Sequence, residues 1–460
     1  MKNLINTVIT KQKAFFKSRN TFDVTKRKNY LIELRKEIRK NESEIEHALF
    51  KDLGKSEGES YLTEIHFVYA ELKIAINNIE KWAKRKSVRS SLLNFPSSDY
   101  IIAQPFGNTL HISPWNYPFQ LSIAPLIGAI AAGNTVVLKP SEYSKNTSII
   151  LEKIVSNVFE DELVKVLLGG PELAKELLNH QWDYIFFTGS VNVGKIVAKK
   201  AAVNLTPTTL ELGGKNPCIV DETASIKVTA KRIVWGKFIN CGQTCIAPDF
   251  LIVNKRIKQK LTLEIINQIK ILYGKNPQKS DSYGRIISNK HIKFLSSLLK
   301  DQKIIYGGKV DEKLKYFEPT LVEISSFKSD LMEQEIFGPI LPIYGYDNFD
   351  EIDQIIYKYK NPLALYIFTK NRSFGEKFLR KYSFGGGAIN DTVVHIINDR
   401  LPFGGIGNSG MGKYHGESTF KTFSHFKPYI SKPLWIDIPL RYPPFKNKIK
   451  LLKKALKLIQ

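Results

Sequence analysis

The amino-acid sequence predicts an α/β fold made of two parallel-sheet domains, preceded by a helical region and followed by a basic tail. Three observations carry that expectation. The chain has 460 residues, 43% of them apolar, more than one core ordinarily organises, so two domains are expected. From Tyr100 onward short apolar runs alternate with amphipathic stretches, the mark of a parallel sheet covered by helices on both faces. The same alternation resumes after Cys245, which starts a second α/β domain near Leu212.

In chain order, Thr21 to about Arg85 reads as helical, because KNYLIELRKEIRKNESEIEHALFKDL sets apolar residues at helical spacing with charges between them. SSLLNFPSSDYIIAQPFG, Ser90 to Gly107, reads as a hairpin or extended arm. NTLHISP, NTVVLKP, ELVKVLLGG, YIFFTGS and NPCIV each read as a buried strand ending in a turn, with SKNTSIILEKIVSNVF and NVGKIVAKKAA as helices between them. The richest apolar window, Leu121 to Leu138, is broken by Pro125, Gly128, Gly133 and Asn134, so it reads as a buried helix plus strand and not a membrane span. Further on, FLIVN and ALYIFTK read as strands and Lys258 to Ile271 as a helix. No internal repeat, low-complexity tract or long linker interrupts the pattern.

The C-terminus differs. FKNKIKLLKKALKLIQ follows a proline-rich stretch, with no acidic residue after Asp437. At about 100° per residue, Phe445, Ile449, Leu452, Leu456 and Ile459 form one stripe, widened by Leu451, Ala455 and Leu458. Lys446, Lys450, Lys453, Lys454 and Lys457 collect opposite, and Lys448 is the one misplaced charge. Such a helix lies on an anionic membrane surface, or docks on the protein's own body or a partner subunit.

Composition removes several classes. The net charge is +24, but the lysines are scattered, and no zinc-finger spacing, RNP-type aromatic motif or basic arm accompanies them, so nucleic acid is not an expected partner. Three cysteines cannot build a disulfide framework and fit a reducing compartment. MKNLINTVITKQKAFFKSRN holds no apolar run long enough for a signal peptide.

Four loops at expected strand ends carry candidate chemistry, since open α/β sheets bind ligands there. SPWNYPFQ presents Asn116 in a stiff aromatic and proline-rich turn, as an oxyanion donor or as a turn cap. VVLKPSEYS offers Lys139 to ribose hydroxyls or phosphate, unless it is a surface lysine. In FFTGSVNVGK, Gly189 and Gly194 bracket a strand-to-helix turn where amides can face a phosphate, though a structural turn reads equally well. The stretch nearly matches a P-loop, but Ile196 stands where a magnesium-binding Ser or Thr is needed, and it lacks G-x-G-x-x-G. TTLELGGKNP places Glu211 ahead of Gly213 and Gly214, where a carboxylate on a flexible turn can serve as general base or be a plain surface glutamate.

NCGQTCIAPD, Asn240 to Asp249, holds Cys241 and Cys245. A metal site would need more thiolate or imidazole ligands than Cys218 and eight dispersed histidines supply, so none is expected. Redox exchange ordinarily uses C-x-x-C. Cys245, in a turn after the helix IVWGKFIN, is left as a nucleophile or a buried thiol.

In order, PWNYP, KPSE, FTGSxxxG, ELGGK, GQTC, EIFGP and PFGG resemble the NAD(P)-dependent aldehyde dehydrogenase superfamily, and LPFGGIGNSGMGKYHG with TFSHFKP resembles its class 3 branch, which includes fatty aldehyde dehydrogenases. The resemblance runs from about residue 20 to 445. It implies two Rossmann-like domains: residues 1–88 and 108–211 binding NAD or NADP, residues 212–415 catalytic, residues 89–107 and 416–445 an oligomerisation arm, and 446–460 the tail. It implies Cys245 as nucleophile with its thiolate favoured, Glu211 as general base, and Asn116 with the Cys245 N–H as oxyanion donors. Lys139 and Glu142 would meet the adenine ribose; Gly189, Ser190 and Gly194 the pyrophosphate region; Glu335 the nicotinamide ribose, beside Phe337. Glu142 would favour NAD by repelling a 2′-phosphate, although class 3 enzymes often use both.

The expected reaction is oxidation of an aldehyde to a carboxylic acid through a cysteine thiohemiacetal and thioester, with Glu211 pointing to hydrolysis instead of transfer to coenzyme A. Tyr61, Trp115, Tyr117 and Phe337 suggest an apolar, aromatic-walled pocket for medium- to long-chain aliphatic or aromatic aldehydes. A cysteine hydrolase or acyltransferase without a redox cofactor is the alternative. A homodimer in the cytoplasm is expected, with at most peripheral contact at the inner membrane face. Cys241 is expected one helical turn before Cys245, as a packing residue or a resolving thiol.

Overall fold

The computed structural model describes residues 2–457. The chain begins with α1 (Lys2–Lys17), α2 (Val24–Lys40), α3 (Glu42–Leu53), the short α4 (Glu57–Ser60), a π-helical stretch (Tyr61–Ile65) and α5 (His66–Ala83). β1 (Lys86–Val88), β2 (Ser98–Pro105) and β3 (Asn108–Ile112) follow, then α6 (Gln120–Ala132), β4 (Thr135–Lys139), α7 (Lys145–Val158), β5 (Val164–Val166), α8 (Pro171–Leu177), β6 (Tyr184–Thr188), α9 (Val191–Val203) and β7 (Thr208–Glu211). The next run is β8 (Pro217–Val220), α10 (Ile226–Phe238), β9 (Phe250–Asn254), α11 (Lys255–Tyr273), α12 (Asn289–Leu298), β10 (Lys303–Tyr306), β11 (Val310–Asp311), β12 (Tyr316–Phe317), β13 (Thr320–Glu323), α13 (Asp330–Glu333), β14 (Ile340–Tyr346), α14 (Phe349–Lys358), β15 (Ala364–Phe368), α15 (Arg372–Lys381) and β16 (Gly386–Ile389). β17 (Gly410–Met411), α16 (Glu417–Thr422), β18 (Ser424–Ser431) and α17 (Ile449–Lys457) complete it.

Two sheets dominate, as the alternation predicts. One has the order β17-β7-β6-β3-β4-β5 and is parallel apart from β17. The other has the order β10-β13-β14-β9-β8-β15-β16 and is parallel apart from β10. Their inner strands are buried on both faces: every residue of β3, β4, β8 and β15 is buried. In the first sheet the order reverses between β3 and β6, so the loops after these two strands flank a crevice of the kind that binds ligands. A third sheet, β1-β2-β18, holds the expected arm.

The window from Leu121 resolves into α6, buried at every position, and β4. Pro125 lies inside α6, at its sixth residue, and so removes the N–H that would have bonded the Leu121 carbonyl. Some elements escape the sequence reading. α1 precedes the expected helical start and docks through Ile5, Val8, Ile9 and Gln12. Glu211 is not on a flexible turn; it ends β7, paired in register with Thr188 of β6. Gly410 and Met411, assigned by sequence to the second domain, join the first sheet beside β7. In the tail, Ile449–Lys457 is helical, while Leu458 and Ile459 of the expected stripe lie outside the described residues. Among the described residues no helix is long and apolar enough to cross a membrane.

Candidate active site

A cavity of about 540 Å³ opens among the loop after β3, the ends of β6 and β7, and the segment leading to β9, and Asn116, Glu211 and Cys245 share its wall.

The approach to Cys245 is unusual backbone. α10 ends at Phe238, and Asn240 (φ 51°), Cys241 (φ 55°) and Gly242 (φ 74°) then turn left-handed in succession. Cys241 is therefore not one helical turn before Cys245. Left-handed geometry costs a non-glycine residue roughly 1–2 kcal/mol, and hydrogen bonds offset it: Asn240 N donates to Glu59 (2.7 Å) and Asn240 Nδ2 to the Asn116 carbonyl (2.7 Å). Gly242 is required because a Cβ there would overlap the Gly338 carbonyl. Cys241 is fully buried beside Tyr283, off the cavity wall, and its thiol is pushed up to about 12 by burial. All three cysteines are free.

The expected favoured thiolate is not what the surroundings provide. Burial, then the carboxylates of Glu335 and Glu211, push the Cys245 thiol up to about 12, while the N–H groups of Cys245 and Ile246 pull the other way. Asn216 Nδ2 fixes the turn by donating to the Cys245 carbonyl at 2.7 Å.

Asn116 is buried, and its Nδ2 donates to the Gln243 carbonyl at 3.0 Å, which leaves its second N–H free to face the cavity. Tyr117 shares a 2.6 Å hydrogen bond with Thr244. Behind these loops sit three groups that sequence reading missed: Lys55, Glu59 and Glu64. Their stretch, KSEGESYLTE, reads as a charged helix surface, and only tertiary packing turns it inward.

Glu211 is 3% exposed, and neither carboxylate oxygen has a hydrogen-bond partner among the described residues. Desolvation raises its pKa well above the usual carboxylate range. Its neighbour Thr188 carries a buried hydroxyl that is likewise unpartnered, another group sequence reading missed. Gly189 and Ser190 line the cavity, and Ser190 Oγ caps α9 by accepting from Val193 N at 3.5 Å. Gly194 is off the wall; a Cβ there would overlap Leu212, so it serves the close packing of α9 on β7. Lys139 and Glu142 are also off the wall, paired with each other at 2.8 Å. Lys139 ends β4, one strand over from the Asn116 loop, with its carbonyl accepting from Ser113 N at 3.1 Å.

Glu335 lies so close to Gly213 that a Cβ on the glycine would overlap its carboxylate. Burial and then Asp249 raise its pKa to about 8, opposed by the Gly214 N–H, Lys215 and Lys237. Lys215, 2.6 Å from Asp249, also donates to the carbonyls of Leu331 (2.6 Å) and Gln334 (2.9 Å), while Asp249 accepts from Ile336 N. Phe337 holds a left-handed backbone (φ 52°), with its carbonyl 2.8 Å from His291 Nε2 and its ring edge-on to Trp115 at 5.3 Å. A buried unpartnered hydroxyl, a cornered carboxylate and glycines without room for a Cβ suit a ligand rich in hydroxyl groups, as a nicotinamide dinucleotide is.

Trp115 and Tyr117 line the cavity, joined by Leu62, Phe67, Trp235 and Phe403. Tyr61 is not on the wall: it is 41% exposed, and the π-helical stretch turns Leu62, Thr63 and His66 to the cavity instead.

The pattern of the aldehyde dehydrogenase family matches residues 2–428. The 4,4'-diaponeurosporen-aldehyde dehydrogenase of Staphylococcus aureus is 45% identical over 457 residues, covering 99% of this chain and 100% of that protein. Aldehyde dehydrogenase family 3 member A2 of Pongo abelii is 43% identical over 413 residues, covering 89% of this chain and 85% of the relative. A solved structure described as the substrate bound state of Staphylococcus aureus AldH superposes with a TM-score of 0.97 at 45% identity, over 98% of this chain and 99% of that one. The chain belongs to the aldehyde dehydrogenase family. It is an oxidoreductase that oxidises aldehydes to acids with NAD or NADP, and a cofactor-free hydrolase or acyltransferase is not favoured.

Proposed function

We propose that Cys245 is the nucleophile, Glu211 the general base and Asn116 an oxyanion donor. The observation that carries this reading is the meeting of all three on one cavity wall, with both Glu211 oxygens unbonded. Glu211 takes the Cys245 thiol proton and passes it to solvent, Sγ forms a bond to the aldehyde carbon, and the free N–H of Asn116 with the Cys245 backbone N–H holds the resulting oxyanion. NAD or NADP held beside it would supply the acceptor for the hydride that this carbon must lose. The chain then carries a thioester on Cys245. Glu211 takes a proton from water, the water oxygen bonds to the carbonyl carbon, and the C–S bond breaks to release acid and thiol. Its raised pKa makes Glu211 a stronger base than an exposed glutamate.

In this reading Glu335 and Phe337 would hold the nicotinamide ribose, with the Thr188 hydroxyl nearby, and Gly189 and Ser190 the pyrophosphate region. Lys139 and Glu142 stand farther back, at the adenine ribose, and their mutual ion pair tempers the repulsion of a 2′-phosphate, so both cofactors are accommodated. The substrate is a medium- to long-chain aliphatic or aromatic aldehyde, supported by the apolar wall of Leu62, Phe67, Trp235 and Phe403. Kinetics over an alkanal series beside benzaldehyde test this: kcat/KM rises with chain length, and a preference for acetaldehyde overturns it. Replacing Cys245 with Ala abolishes reduced-nicotinamide formation; retained turnover contradicts the assignment.

The domain division given by the resemblance is proposed with β17 moved to the cofactor half. A cytoplasmic homodimer is supported by the free cysteines, by β18 pairing with β2 alone among the described strands, and by the exposed Leu92, Leu93 and Phe95 of the arm. Peripheral membrane contact is supported by α17, where exposed Ile449, Leu451 and Leu456 accompany five lysines in the tail stripe opposite.

A further inference from the structure

Lys55 and Glu64 form an ion pair at 2.5 Å, and neither side chain has any exposed surface. Their remaining contacts all go to one place. Lys55 Nζ donates to the Asn116 carbonyl at 3.1 Å and stands 4.0 Å over the Tyr117 ring. Glu64 Oε2 accepts from Phe119 N at 2.8 Å and Gln120 N at 3.2 Å. Those two N–H groups open α6, whose own N-cap, Phe119, offers no side-chain acceptor, so the cap comes from another element. Glu64 is delivered by the π-helical stretch Tyr61–Ile65, where Glu64 and Ile65 both turn inward. Nearby, Glu59 accepts from Asn240 N, and Asn240 bonds the same Asn116 carbonyl that Lys55 holds.

Stability alone does not account for this pair. A buried ion pair returns in attraction about what it costs in desolvation, and apolar replacements are often neutral or stabilising. What the pair does achieve is geometric: it pins the main chain of the Asn116 loop at three atoms. We propose that Lys55 and Glu64 are positioning residues for aldehyde oxidation, which fix the Asn116 amide over Cys245. The proposal rests on the oxyanion role given to Asn116. Displacing a donor by about an ångström can cost a hundredfold in rate, so a stiff support behind the loop is worth more to catalysis than to folding.

The test is the single-turnover burst of reduced nicotinamide in full-length enzyme. Lys55→Met/Glu64→Gln removes both charges while the glutamine oxygen still accepts from Phe119 N. The burst falls roughly ten- to hundredfold, whereas KM for NAD, the rate of Cys245 alkylation by iodoacetamide and the melting temperature stay near wild type. Added to Asn116→Ala, the double change causes little further loss, because both act through one group. Glu64→Ala, which frees the α6 N–H groups and leaves the Lys55 charge buried without its partner, is the second variant: its melting temperature falls, while below that temperature its burst is slowed and its alkylation rate stays near wild type. An unchanged burst in the Lys55/Glu64 variant, beside a slowed Asn116→Ala, overturns the positioning role alone. An unchanged burst in Asn116→Ala overturns the oxyanion reading with it. Loss of burst, alkylation and melting temperature together, or losses that add to that of Asn116→Ala, make the pair merely structural and also overturn the proposal.

Discussion

Glu211 and Cys245 are each displaced from their ordinary acid–base behaviour by burial, and each displacement has a measurable sign. Glu211 is raised, so its folded-state pKa exceeds the unfolded one, and the stability it contributes is present at low pH and lost as pH rises through the folded value. Glu211→Gln removes that dependence. The melting temperature of the variant therefore gains on wild type between about pH 5 and pH 8, and parallel scans of the two proteins check it. Cys245 is raised to about 12 by burial first and then by Glu335 and Glu211. Iodoacetamide alkylation of the free enzyme accordingly climbs with pH well past the range of an ordinary thiol. Removing a carboxylate lowers the Cys245 pKa, so Glu335→Gln is alkylated several-fold faster at about pH 9, where both thiols are still mostly protonated. Equal rates would show that Glu335 exerts no field on the sulfur.

Elements carry the site because each functional group sits at the end of one: Asn116 just past β3, Glu211 on the last residue of β7, Cys245 between α10 and β9. Long apolar runs bounded by turns made β3, β4, β6, β8 and β9 legible in the sequence, since buried parallel strands have a distinct composition. β7 was not legible, because TTLE is short and mostly polar; only its pairing with β6 makes it a strand. The meeting of Cys245, Glu211 and Asn116 on one cavity wall was readable through motif order. Lys55, Glu59 and Glu64 were not, as nothing local separates a buried ion pair from a solvated helix face. Tyr61 was misjudged for the same reason in reverse, because a π-helical stretch shifts which neighbour faces inward. At this scale Gly213→Ala is informative. Its Cβ would overlap the Glu335 carboxylate, so KM for the cofactor rises about tenfold, near 1.4 kcal/mol, while the melting temperature moves little. An unchanged KM would detach Glu335 from cofactor binding.

The whole molecule joins two parallel sheets about one cavity, with β17 returning from late in the chain to stitch β7 in place. Among the described residues, none of the arm sheet or of the tail lines that cavity. A chain ending at Pro444 therefore keeps its kcat on a water-soluble aldehyde and loses binding to anionic liposomes; equal pelleting of the two forms removes the membrane contact. A thioester on Cys245 that Glu211 releases is caught by mass spectrometry of Glu211→Gln quenched after mixing with cofactor and aldehyde. The proposed route gives one equivalent of reduced nicotinamide and the acyl mass on the peptide containing Cys245. Acyl-free enzyme with undiminished steady-state acid release, or acyl mass on another residue, would contradict it.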